Sequence, residues 1–196
     1  MSLISDLDIF FNTYYSSDGN VREEFTELSK DSLGNSLVND STIAINFDYI
    51  ARTILSGNPH KSCDALHITN SINFIEFKRN VFGKSNKQKY KRIGIREKMS
   101  SSLHMLEKII LPESNVTVSE SIKYKFILVV DHETDPLLTS RAIADQNAGR
   151  KHTLSNTEFA HYEVEFTNTA QQKKRIFYNK VEVWNDINFS INLSFL

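Results

Sequence analysis

Residues 61–79 read KSCDALHITNSINFIEFKR. Two β-type runs share the stretch: Lys61 to Thr69, with Ala, Leu and Ile set among polar residues, and Asn73 to Lys78, with Phe74, Ile75 and Phe77. Asn70 and Ser71 between them are turn formers, and the pattern predicts a β-hairpin. Side chains two apart on a strand share a face. Glu76 and Lys78 therefore project together, while Ile75 and Phe77 project to the opposite, apolar side, which suits packing on a core. Asp64 lies on the partner strand, where the hairpin brings its carboxylate toward Glu76. A strand this apolar that ends in Glu-x-Lys is unusual, because charged side chains are seldom buried unless paired or bound to metal.

Asp64 followed by Glu76-Phe77-Lys78 resembles the PD-(D/E)xK nuclease superfamily, the fold of many restriction endonucleases and of Holliday-junction and repair nucleases. The stretch is also similar to small bacterial proteins with an S-C-D-x-L…IEFK pattern. The superfamily's Pro is absent, Cys63 standing before Asp64, a departure that its members tolerate. The resemblance implies a metal-dependent nuclease that hydrolyses phosphodiester bonds, with Mg²⁺ or Mn²⁺ as cation and DNA as the nucleic acid. It implies Asp64 and Glu76 as metal ligands, the backbone carbonyl of Phe77 as a third, and Lys78 as the group that orients water or stabilises developing negative charge. The chemistry agrees with these residue types. Phosphodiester hydrolysis needs a cation to take up charge on the non-bridging oxygens and to lower the pKa of a water. Hard cations bind through one or two carboxylates and keep several waters. Many members add an acid from a helix ahead of the motif; Glu27 and Glu24 are the foremost candidates, with Glu23 and Asp48 behind them. Many such nucleases cut two strands as homodimers. The plainer reading is a surface hairpin on which Glu76 and Lys78 form an exposed pair.

Directly after the motif the chain turns basic. Residues 78–98 hold Lys78, Arg79, Lys84, Lys87, Lys89, Lys91, Arg92, Arg96 and Lys98 against one acid, Glu97, a local charge of +8 from nine bases and that acid. Charge runs usually make solvated faces. Beside a carboxylate pair, with Tyr90 interleaved, this one suits a phosphate backbone and predicts salt-sensitive binding. The chain as a whole carries −1, so nucleic-acid affinity has to come from such a patch.

A length of 196 residues predicts a single domain over 1–196, and a hydrophobic content of 40% supports a packed core against wholesale disorder. One cysteine, Cys63, allows no internal disulfide, which suits a reducing cytoplasm. The N-terminal MSLISDLDIFFNTYY carries Asp6 and Asp8 and no basic region, so it does not read as a secretory signal. No apolar run is long enough for a bilayer, and no membrane is expected.

Periodicity fills in the rest. Leu3, Ile4, Leu7, Phe10, Phe11 and Tyr14 predict a helix over 3–15. Asn20 and Glu23 read as a capping box opening a second helix, with Val21, Phe25 and Leu28 inward. Residues 32–41 read as loop. A third helix is expected over 43–55, its start near Asn46, ended by Gly57, Asn58 and Pro59. Residues 80–90 read as a polar loop, and 91–111 as the strongest helix, carrying Ile95, Met99, Leu103, Leu106 and Ile110 and closed by Pro112. Tyr124 to Val130 reads as a buried central strand. Asp135-Pro136 marks a helix start, with a short helix to about Gly149. Strands are expected over 159–166, 175–184 and 187–195. This order predicts an α/β fold, a mixed central β-sheet flanked by helices, and matches the restriction-endonuclease-like core, in which a long helix after the motif hairpin leads to an apolar strand.

Other clusters read more plainly. Asp131, His132, Glu133 and Asp135 favour a helix cap and loop over a second cation site. His60, Cys63 and His67 lack a fourth zinc ligand. His104 reads as a helix-face histidine. The segment 88–90 does not match the Gln/Tyr motif of the RecB-like branch. Two further functions compete with the nuclease: a non-catalytic nucleic-acid-binding module that keeps the fold, and a protein-interaction module whose motif is accidental.

Overall fold

The computed structural model describes residues 3–14, 21–55, 61–79, 81, 86–114, 123–131, 143–151 and 178–196; for 3–5, 8, 14 and 86–92 it describes the backbone alone. A six-stranded mixed sheet forms the centre, in the spatial order β1-β2-β3-β4-β5-β6. The strands are β1 Arg22–Glu24, β2 Ile43–Asn46, β3 Ala65–Ile68, β4 Ile72–Lys78, β5 Tyr124–Val130 and β6 Lys180–Asn185. The first four run antiparallel as a meander, and β5 and β6 add parallel to β4. The helices are α1 Leu3–Tyr14, α2 Phe25–Leu28, α3 Phe47–Ile54, α4 Asn86–Met105, α5 Leu111–Ser114 and α6 Phe189–Leu193. A π-helical turn, Leu106–Ile110, joins α4 to α5.

The hairpin forms as its pattern requires. Ala65 pairs with Ile75 and Ile68 with Ile72. The turn is fixed by Asn73, whose Nδ2 donates to the carbonyls of His67 (2.9 Å) and Ser71 (3.2 Å). Alternation then sends consecutive β4 residues into two separate cores. Ile72 and Phe74 join a core with α1, α3 and α4, built on Phe11, Phe47, Met99, Leu103 and Phe126. Ile75 and Phe77 join a second core with Phe25, Trp184, Phe189 and Leu193. Both faces of β4 are thus covered, and the face that carries Glu76 is an interior one.

Four element boundaries differ from the sequence reading. Residues 22–24 are strand, where a capping box predicted helix, because they pair with β2 and helix begins only at Phe25. Cross-strand pairing here overrides the helix preference of glutamate. Ile43–Asn46 is likewise strand, although α3 starts at Phe47, where expected, with Asn46 as N-cap, its Oδ1 accepting from the Tyr49 N–H at 2.9 Å. The long helix begins at Asn86, inside the predicted loop, and passes Pro112 through the π-helical turn into α5. Proline lacks an N–H, which the first turn of a helix does not need. Residues 189–193 are helix instead of strand. Phe189 and Leu193 fit helical spacing as well as alternation, Leu196 three further on fits helical spacing alone, and burying the three together in the second core favours the helix.

The loop at 32–41 is as expected, turning at Gly34 (φ 83°) and tucking Leu37 and Val38 into the second core. Helical residues 143–147 end at Gly149 (φ 62°), where the Arg150 N–H donates to the Asp145 carbonyl at 2.9 Å. The expected features at 16–19, 57–59, Asp135-Pro136, 159–166 and 175–177 lie outside the described residues. Among the described residues no helix is long and apolar enough to cross a membrane.

Candidate carboxylate and lysine centre

Glu76 sits on β4 with no exposed surface, beneath α4. Asp64 stands at the bend just before β3, where antiparallel pairing with β4 has ended. Its Oδ2 accepts the Phe77 N–H at 2.7 Å, so the side chain takes the place of a ladder partner. Its Oδ1 lies 3.1 Å from the Lys98 ammonium, and that ammonium lies 2.9 Å from Glu76 Oε2. The two carboxylates converge on one cation position. Lys78 stands on the same face of β4 two residues on, with its ammonium 2.7 Å from Glu76 Oε1. That contact has ion-pair distance without hydrogen-bond geometry, since Oε1 lacks a hydrogen-bond partner.

The segment carrying Asp64 is held from both sides. The Cys63 N–H donates to Ser102 Oγ at 2.7 Å, and Lys61 pairs with Glu97, both acceptors lying on α4. Ser62 Oγ donates to Asp48 Oδ1 on α3 at 2.7 Å. Burial pushes the Cys63 thiol well up, so the residue is an inert filler of the first core.

Electrostatics follow from this packing. Burial, and then the Asp64 carboxylate, push Glu76 up to about 7, against the pull of Lys78 and Lys98. Burial alone would lower Lys98, but Glu76 and Asp64 outweigh it and raise its pKa, keeping the ammonium charged.

Asp64, Phe77, Lys78 and Arg79 also line a cleft of about 260 Å³. Its other wall is the turn after α2, with Leu28, Ser29, Lys30, Asp31 and Leu37. Arg79 donates to the Ser36 carbonyl at 2.6 Å and lies 3.9 Å from Asp31. Asp64, Glu76, Phe77, Lys78 and Arg79 are thus brought together.

The upstream acids are not. Glu24 is exposed on β1, three strands and about 14 Å across the sheet from β4. Glu27 is exposed and paired with Lys30 at 2.5 Å. Neither lines the cleft; the upstream acid that does is Asp31, a residue the sequence pattern does not single out. Glu23 lies in β1, and Asp48 is engaged by Ser62 and Arg52. Lys87, Lys89, Lys91 and Arg92 fall on the first half of α4, described by its backbone alone, and Lys84 lies outside the described residues. Lys98 was seen only as one charge of the basic strip. Its position carried a signal: three residues after buried Ile95 and four before buried Ser102, it falls on the inward stripe of α4, where a charge needs an anionic partner.

Another buried carboxylate, Glu182 on β6, is met by Lys151 (2.8 Å), Lys180 (2.8 Å) and the Trp184 indole N–H (2.8 Å), and is therefore fully compensated. Asp131 is buried at the end of β5; His132, Glu133 and Asp135 lie outside the described residues.

The donor set at the centre fits a hard divalent ion. Among the described residues no three His, Cys, Asp or Glu side chains gather as metal ligands. Mg²⁺ needs only one or two carboxylates, completed by waters. Asp64 Oδ1 and Glu76 Oε2 already address one cation. The extended backbone that aims the Phe77 N–H at Asp64 aims the Phe77 carbonyl to the same edge. Compared with family models, with curated proteins and with solved structures, the chain has no match in any of the three.

Proposed function

We propose that the chain is a metal-dependent nuclease of restriction-endonuclease-like fold, hydrolysing phosphodiester bonds of DNA. One observation carries the reading: Asp64 and Glu76, twelve positions apart in the chain, meet at a single cation position with Lys78 beside them. Supporting it is the order of elements, in which the motif hairpin is followed by a long helix and an apolar strand parallel to β4. Asp64, Glu76 and the Phe77 carbonyl would hold Mg²⁺ or Mn²⁺, which when bound supplies charge to the non-bridging phosphate oxygens and acidifies a water. Lys78, 30% exposed and at the mouth of the cleft, orients that water or meets the charge that develops. Arg79 and Lys30 line the cleft where a phosphate backbone would enter. A homodimer in the cytoplasm is the form we propose for cutting both strands.

The test is cleavage of a labelled duplex and of plasmid DNA with Mg²⁺ or Mn²⁺. Asp64→Ala should abolish turnover, and Lys78→Ala should slow it by about 10²–10³-fold. Cleavage that continues unchanged in both variants removes the assignment.

A second reading has one observation in its favour, namely that the carboxylate pair already has a cation of its own in Lys98. On that reading the chain binds nucleic acid through its basic strip and does not cut. Salt-sensitive DNA or RNA binding without metal-dependent turnover would select it. A protein-interaction module, for which widely separated carboxylates would speak, gains nothing from the geometry.

A further inference from the structure

We propose that Lys98 is the resident counter-ion of the Asp64–Glu76 pair, and that a divalent ion loads the site by exchange with its ammonium. The inference rests on the metal reading above and adds how loading is controlled. Each of the four carboxylate oxygens has a neighbour. Asp64 Oδ2 takes the Phe77 N–H at 2.7 Å, and Glu76 Oε1 faces the Lys78 ammonium at 2.7 Å. The two oxygens left, Asp64 Oδ1 and Glu76 Oε2, both face Lys98 at 3.1 and 2.9 Å. An ion bridging the pair through these oxygens needs the volume that the ammonium fills, since Mg–O distances are shorter, about 2.0–2.1 Å, than the N–O distances here. Ammonium and metal are therefore alternatives.

The arrangement has a reason in the fold. Glu76 has no exposed surface, so two carboxylates facing each other there with Lys78 as their one cation would destabilise the chain. Lys98 removes that penalty during folding, before any metal is bound. Its side chain is 18% exposed, and its stem is flexible, so the ammonium can swing out while the backbone of α4 stays in place. The ammonium thereby sets a threshold, because metal must compete with a tethered cation as well as with water.

The experiment compares thermal melting with a chelator and with Mn²⁺, and Mn²⁺ binding by calorimetry, in the native chain, Lys98→Met and the double variant Asp64→Asn/Lys98→Met. Lys98→Met should melt below the native chain in chelator, gain more from Mn²⁺ than the native chain does, and bind Mn²⁺ about tenfold or more tightly. The double variant, with one charge fewer to neutralise, should regain melting temperature in chelator and respond less to Mn²⁺ than Lys98→Met. Should Lys98→Met fail to fold in chelator, folding on addition of Mn²⁺ is the expected outcome, and a chain still unfolded with Mn²⁺ overturns the exchange. Equal or weaker Mn²⁺ affinity in Lys98→Met also overturns it. Exchange seen without any DNA cleavage rejects the nuclease alone, whereas cleavage with equal affinities rejects the exchange alone. No Mn²⁺ binding in any of the chains rejects both.

Discussion

Glu76 is a carboxylic acid in a place that suits neither of its forms well. Burial and the neighbouring Asp64 push it up to about 7 from the 4.5 of an unfolded chain, while Lys78 and Lys98 hold it from rising further. The Cys63 thiol close by is pushed up by burial and stays neutral, so it adds no charge below that range. Between pH 4.5 and about 7 the folded chain thus keeps a proton that the unfolded chain has released. The favourable contribution is complete below 4.5 and is lost as pH rises through about 7. Its size is on the order of 3 kcal/mol. Glu76→Gln should remove it. Urea unfolding in chelator should show the variant gaining relative to the native chain by roughly that amount between pH 4 and pH 8. A stability difference that is the same at both ends of this range would show that Glu76 does not titrate there. The residue was legible as a candidate because its strand is otherwise apolar; its complete burial was not, since that needs the helix above it.

At the scale of the element, α4 decides where Asp64 stands. Glu97, Lys98 and Ser102 lie within two turns of that helix, and each contacts the segment 61–64. The Cys63 N–H is buried, and Ser102 Oγ at 2.7 Å is its acceptor. Ser102→Ala leaves that donor without it, and urea unfolding should register a loss of about 1–3 kcal/mol. The same variant should bind Mn²⁺ more weakly, because Asp64 is held only as well as the residue before it. An unfolding midpoint equal to that of the native chain would mean that the clamp contributes nothing. The hairpin itself was readable because its determinants are local, with period-two alternation and a polar turn within eighteen positions. The clamp was not, because its partners lie 34 to 39 positions apart and meet only once α4 packs on the sheet. Similarly, Arg22–Glu24 became strand through pairing with Ile43–Asn46, a preference that its two glutamates do not carry alone.

Across the whole molecule, charge is nearly balanced, yet its placement is not. As the crossover between parallel strands, α4 runs opposite to β4, so its N-terminal half lies toward the end of β4 that carries Glu76 and Lys78. Asn86 is twelve residues ahead of Lys98, roughly 18 Å along the axis. That half carries Lys87, Lys89, Lys91 and Arg92. If these positions track a phosphate backbone, replacing all four by Ala should flatten the slope of log affinity against log salt by up to about 3.6. Anisotropy of a labelled duplex between 50 and 200 mM salt, a range over which such contacts lose affinity steeply, measures it. An unchanged slope would place the nucleic acid elsewhere on the surface.

The sequence by itself determined the hairpin, the buried strand Tyr124–Val130, the long helix and the mixed α/β character, since each rests on a periodicity or turn chemistry contained within one segment. It also singled out Glu76 and Lys78, because charge on an apolar strand is conspicuous, and Asp64 through the Asp…Glu-x-Lys pattern they complete. Only the tertiary structure decided that Glu76 faces a core, that Lys98 stands between the two acids, and that Asp31, not Glu24 or Glu27, borders the cleft. Those are facts of packing between segments. A carboxylate's neighbours across a helix–sheet interface depend on register and crossing, and no periodicity within a single segment records them.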